Sequence, residues 1–175
     1  MGRMDLKGQK RIADLVIRDF EMDSDLSVLY EIAAASDYES FCLWGADWVY
    51  TYPPDLAQMK RRILNLDRTM LFAIVKAQQT VGFAELSEIS SEDQTATLSR
   101  FVLAPQWRGK GVGSEALGSI MSYARDYLKL QTISLVVYQM NQIAQAVYKK
   151  SGFTEEGILI RAGRPDAIRM KCTLT

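Results

Sequence analysis

The sequence predicts a single mixed α/β domain built around an antiparallel meander. Three observations carry that expectation. Three strand-like runs, TMLFAIVKA, TVGFAELSEIS and QTATLSRFVLA, follow one another with only QQ and SED between them, the pattern of an antiparallel meander. A glycine-rich stretch, RGKGVG, then leads into a segment whose Leu117, Ile120, Met121, Ala124 and Leu128 form one apolar stripe, as in an amphipathic helix. The 175 residues suffice for one good core, and no linker, repeat or low-complexity block divides them.

In chain order, residues 1–12 are polar and mildly basic without a period and read as a flexible tail, leaving residues 13–175 as the domain. ADLVIRDF reads as a first strand. DSDL offers capping groups ahead of a helix through LSVLYEIAAA. An irregular aromatic segment, YESFCLWGADWVYTYPP, precedes a second helix from Asp55 to about Leu66. After the meander and the striped helix, TISLVVY reads as a buried strand and NQIAQAVYKKS as a short helix that Gly152 stops. GFTEEGILI and DAIRMKCTL close the chain as two strands.

Composition excludes whole classes of chemistry. The 48% hydrophobic and 24% charged residues suit a soluble globular protein rather than a disordered one. A net charge of zero argues against a nucleic-acid partner, which calls for a strongly basic domain. There is no histidine, so Ser-His-Asp and Cys-His catalysis and HExxH metal sites are ruled out. Cys42 and Cys172 show no CxxC spacing and form no disulfide framework, and no metal is expected. No apolar run approaches the roughly 18 residues of a membrane span, no signal-peptide core follows the N-terminus, and Leu6 breaks a myristoylation pattern. A cytoplasmic protein without a membrane partner is the expectation.

Glycines at 109, 111 and 113 leave backbone N–H groups open to a ligand at a helix start, where a bound anion gains roughly 0.3–2 kcal/mol. Arg108 and Lys110 add charge there, and Ser114 a hydroxyl. A phosphate is the natural guest. The GxxxxGK[ST] loop fails, because Lys110 is followed by Gly111. The dinucleotide pattern GxGxx[GA] fits Gly111, Gly113 and Ala116, but the strand ending VVYQMN lacks the acid that would hold a ribose.

RGKGVG resembles the acyl-CoA loop, [QR]xxGx[GA], of the GCN5-related N-acetyltransferases (GNAT), at Arg108, Gly111 and Gly113. Downstream, NQIAQAVYKKSGF is similar to that family's NxxAxxxYxKxGF signature at Asn141, Ala144, Tyr148, Lys150, Gly152 and Phe153. The two motifs stand one strand apart, as in the family. The resemblance covers roughly residues 14–174 and implies that family's fold, an α/β domain with a mixed, mostly antiparallel central sheet flanked by helices. GFAELSEIS and DAIRMK are most similar to the branch that holds polyamine and ribosomal-protein N-terminal acetyltransferases.

The resemblance implies acetyl-CoA as cofactor, with its pyrophosphate on the backbone of Arg108, Gly109, Lys110, Gly111, Val112, Gly113 and Ser114. It also implies a pantetheine arm beside Phe101, Val102 and Leu103, where a backbone N–H polarises the thioester. Tyr148 is the expected acid for the leaving thiolate, against a packing tyrosine. Asn141 is expected to hold the cofactor arm, or to be no more than a helix cap. Glu85 is the expected base through water, and with Trp44 an acceptor contact; a solvent-facing strand glutamate is the plain alternative. The strand before the loop lacks the glutamate that some relatives carry. The acceptor implied is a small polyamine-like amine or a protein N-terminus, and a homodimer is plausible by resemblance. The rival expectation is a non-catalytic acyl-CoA-binding module.

Overall fold

The computed structural model describes residues 14–160 and 162–175, so the expected N-terminal tail lies outside the described residues. Among these residues seven strands form one sheet: β1 (Leu15–Asp19), β2 (Met70–Lys76), β3 (Gln79–Ser90), β4 (Thr95–Leu103), β5 (Thr132–Tyr138), β6 (Thr154–Leu159) and β7 (Ala167–Thr173). The order across the sheet is β1-β2-β3-β4-β5-β7-β6. Every neighbouring pair is antiparallel except β4 with β5. The meander is thus where the sequence places it. The insertion of β7 between β5 and β6 is a tertiary result that no local pattern announces.

Among the described residues five α-helices flank the sheet: α1 (Met22–Ala34), α2 (Tyr38–Leu43), α3 (Leu56–Leu64), α4 (Val112–Asp126) and α5 (Gln142–Lys150). Two apolar clusters divide the core. One joins α4 and α5 to the sheet through Ala84, Leu86, Leu98, Val112, Ile120, Leu135 and Tyr148. The other joins α1 to α3 to it through Leu29, Phe41, Trp44, Tyr50, Met59, Phe83 and Val102. Both faces of the central strands are therefore covered, and β3 runs buried from Val81 to Leu86. Among the described residues no helix is long and apolar enough to cross a membrane.

Two segments differ from the sequence expectation. The stretch after Ser36 is more ordered than its aromatic composition suggests. Asp37 caps α2 by accepting from the Ser40 N–H at 2.7 Å, and a 3-10 turn follows at Ala46–Trp48. The first helix begins at Met22, ahead of the expected capping run, and no side chain caps it. Asp25 falls inside the first turn, fully buried, and accepts from the Arg18 guanidinium (2.6 and 2.8 Å), the Glu21 N–H and the Thr80 hydroxyl. It pins α1 to β1 and β3.

Burial by itself would raise the Asp25 carboxyl, but the Arg18, Glu21 and Thr80 donors more than offset that and hold it below the usual carboxylate range. Its contribution to stability is present above the unfolded value of about 3.9 and is lost as pH falls through the lower folded value. Asp25→Ala should cost roughly 3 kcal/mol, because it leaves Arg18 and the Glu21 N–H unmatched. Urea unfolding at pH 7 and pH 3 checks both statements: the gap between wild type and variant should narrow at the lower pH.

Candidate active site

Strand β4 is irregular at its centre. Glu85 pairs with Ser99, but two residues back along β3 Phe83 pairs with Val102, so β4 holds one extra residue there. Arg100 takes up the extra residue at φ 45°, in the left-handed region. A bulge of this kind sets two successive side chains on one face and bends the strand. Ser99 meets Ser87 on the α1–α3 side at 2.8 Å, and Arg100 reaches Glu85 on that same side. Phe101 and Leu103 then turn to the α4–α5 side, and Val102 to the other.

The same point ends the pairing of β4 with β5. Their register runs only from Thr95↔Thr132 to Leu98↔Leu135. Past it, β4 stays with β3 as far as Leu103, and β5 stays with β7 as far as Tyr138. The two parallel strands part and open a slot edged by residues 99–103 and 136–138. Gly82 lets β3 follow the bent strand: a Cβ there would lie 2.4 Å from the Val102 carbonyl oxygen and 2.6 Å from the Leu103 side chain.

Beyond Leu103 the chain makes a 3-10 turn at Pro105–Trp107 and enters the glycine loop. Gly109 and Gly111 have φ of 71° and 80°, and nothing stands within 4 Å of where their Cβ atoms would be. Among the described residues, the amides of 109–114 meet no carbonyl acceptor, as the first turn of α4 requires. Glu115 would repel an anion at this mouth, but Lys76 neutralises it at 2.9 Å. Arg108 donates from Nε to the Leu103 carbonyl at 2.9 Å, and Lys110 lies 5.9 Å from the Trp107 ring centroid. The loop thus offers unmatched donors and net positive charge just beyond the end of β4, which fits a pyrophosphate.

Helix α5 follows β5, the strand that edges the slot through residues 136–138. Asn141 caps it, accepting from the Ala144 N–H at 3.2 Å, and donates across the slot to the Leu43 carbonyl at 3.4 Å. Tyr148 is buried against Phe153 with ring centroids 5.8 Å apart, and its hydroxyl has no partner among the described residues. Burial pushes its phenol well above the ordinary tyrosine range. Tyr148 and Phe101 belong to one cluster, on the opposite side of the sheet from Trp44.

Glu85 is 1% exposed and does not face solvent. Arg62 on α3 forks onto it at 2.7 and 2.8 Å, and Arg100 adds a third bond from Nε at 2.6 Å. Three of its roughly four lone-pair directions are filled. About one direction is left for the water through which the sequence expects Glu85 to act as base. Arg62 also donates to the Tyr50 hydroxyl at 3.1 Å. Trp44 packs on Phe41 and Tyr50, and its indole N–H is buried without a partner among the described residues. Sequence reasoning missed Arg62, and left Arg100 without a role, because neither sits in a motif. The one available hint was two cations on segments that otherwise pack inward.

This fold and this constellation of glycine loop, parted strands and capped tyrosine helix define a class. The family model described as acetyltransferase (GNAT) domain matches residues 14–154, and the chain belongs to that family. Among curated relatives, spermidine N(1)-acetyltransferase of Escherichia coli strain K12 is 32% identical over 82 residues, 47% of this chain and 44% of that protein. The Vibrio cholerae spermidine N(1)-acetyltransferase is 28% identical over 107 residues, 61% of each. The chain thus spans less than two thirds of the length of either. The V. cholerae spermidine N-acetyltransferase solved with CoA and spermine matches with a TM-score of 0.77 over 92% of this chain and 96% of that one, at 24% identity, a likeness of fold.

The close approach at Gly82 gives a stability prediction. Gly82→Ala forces a Cβ onto backbone at the strand junction and should cost roughly 1–3 kcal/mol, read as a lowered urea midpoint at unchanged m-value.

Proposed function

We propose that this chain is an acetyl-CoA-dependent N-acetyltransferase that acylates a primary amine directly in a ternary complex. One observation carries the reading. The unmatched glycine-loop amides, the slot where β4 and β5 part, and Tyr148 on α5 all border one apolar cluster, through Val112, Phe101, Leu103, Val137 and Tyr148. Support also comes from family membership and from the relatives' names, which bring polyamines in as candidate acceptors. A protein N-terminus is the other candidate the sequence suggests.

Bound acetyl-CoA supplies the acetyl group as a thioester. The chain's part is then to hold and to move protons. Amides of residues 109–114 take the pyrophosphate at the positive end of α4. The backbone at Phe101, Val102 and Leu103, freed from β5, would hold the cofactor arm and supply an N–H to polarise the thioester carbonyl. Asn141 ties the two sides of the slot together. Tyr148 keeps its hydroxyl proton through neutral pH and gives it to the departing sulfur as the amine nitrogen bonds the acetyl carbon. Glu85 keeps Arg62 and Arg100 in place, and the proton of the attacking amine goes to solvent. An oligomer is part of the same proposal; the V. cholerae relative has a structure described as dodecameric.

Acetyl-CoA at 100 times its dissociation constant should stabilise the fold by about 2.7 kcal/mol, seen as a raised melting temperature. Thiol release with an amine present separates an enzyme from a silent binder. Tyr148→Phe should lower kcat roughly 100-fold while the melting shift with acetyl-CoA persists. Because burial raises the phenol above its ordinary value of about 10, kcat should show no alkaline loss between about pH 7 and 10 in wild type. A kcat unchanged in Tyr148→Phe would remove the acid role.

A further inference from the structure

We propose that the acceptor side selects an amine bearing a carboxylate close to its nitrogen, a free amino acid, and that Arg100 reads that carboxylate. The inference rests on the acetyl-transfer reading above and names the substrate class of the same site.

The bulge aims Arg100 at the α1–α3 side, immediately before Phe101, at the point where β4 leaves β5. Its Cγ lies 3.9 Å from where a Cβ on Gly45 would stand, so the side chain runs beneath the loop that carries Trp44. The guanidinium side chain is only 16% exposed. Of its three nitrogens, Nε alone is engaged, on Glu85. Among the described residues neither Nη group has an acceptor. Neither Nη group is fully buried, so the four remaining N–H donors reach solvent and stand open to a ligand.

Arg62 makes the contrast. Both of its Nη groups fork onto Glu85, and one also reaches Tyr50. Two arginines share the one carboxylate of Glu85, so the Arg62–Glu85–Arg100 cluster carries a formal charge of +1, and Arg100 keeps its Nη fork clear of Glu85. The Trp44 indole N–H, beside Gly45, is a second unmatched donor on this side. The unmatched acceptors here belong to Asp47, whose charge Arg164 already neutralises at 2.8 Å, and to neutral Gln58.

A planar guanidinium fork matches a carboxylate in two parallel hydrogen bonds. The same positive charge opposes the distal ammonium of a polyamine. The acid buried beside Arg100, Glu85, is already paired with Arg62 and with Arg100 itself. Because Arg100 directly precedes the backbone proposed to face the thioester, the carboxylate and the attacking nitrogen must be close together, as in an α- or β-amino acid.

The test is thiol release from acetyl-CoA with matched pairs, each an amino acid and its decarboxylated amine, covering small, acidic and aromatic side chains, with spermidine alongside. Wild type should favour the amino acid in at least one pair by roughly 10- to 100-fold in kcat/KM. Arg100→Asn should abolish most of that preference, since Asn accepts the left-handed backbone but cannot reach the carboxylate. Arg100→Lys, which keeps the charge and loses the fork, should retain part of it. The ratio is taken within each protein, so a loss of folded material cancels. Spermidine or the decarboxylated amines turned over as well as the amino acids would overturn this proposal and leave acetyl transfer standing. So would a preference unchanged in Arg100→Asn. No thiol release with any amine would overturn both.

Discussion

Strand β4 keeps its hydrogen bonds with β5 only as far as Leu98, and the extra residue at Arg100 follows almost at once. The whole candidate site depends on that local breach of a regular sheet. A continuous ladder would bury the backbone of residues 99–103 between two strands, with every N–H committed. Parting the strands frees backbone donors in the middle of the domain, where regular secondary structure ordinarily leaves none. Gly82 is the partner of this irregularity, because only a residue without a Cβ lets β3 stay against the bent strand.

Around the breach, charge and packing are divided between the two faces. On the α4–α5 face lie the glycine loop, with its unmatched amides, and Tyr148, whose proton burial retains. On the α1–α3 face a single carboxylate organises two arginines beneath a layer of aromatic rings. Asn141 spans the two by capping α5 and bonding to the Leu43 carbonyl. Arg62 comes from α3 and Arg100 from β4, so the geometry of this face depends on how α3 seats against the sheet. Asp55, which caps α3 through the Gln58 N–H at 2.6 Å, and buried Met59 help fix that seating.

The aromatic segment between α1 and α3 serves the same end. Tyr50 stacks under the Arg62 guanidinium at 5.2 Å from its centroid, and Trp48 lies under Arg164 at 4.0 Å. Arg164 belongs to the connection between β6 and β7, so that connection is held over the aromatic turn by a cation–π contact and an ion pair with Asp47. Aromatic rings here act as platforms for cations as well as core filler, a role that burial patterns alone do not distinguish.

The sequence by itself determined the elements and one half of the site. Period-2 runs gave the meander, the apolar stripe gave α4, and glycines at 109 and 111 marked a backbone that needs positive φ. These are local properties, set by side-chain alternation and by steric limits on a few consecutive residues. Tertiary structure decided the rest. Glu85 was legible as a strand acid, but its two arginine partners stand 23 and 15 residues away, and only the packed domain brings them together. The insertion of β7, the parting of β4 from β5 and the reach of Asn141 to Leu43, 98 residues away, are likewise long-range pairings. Their energies arise from burial and complementary charge between segments that share no local pattern, so they exist only once the chain has closed on itself.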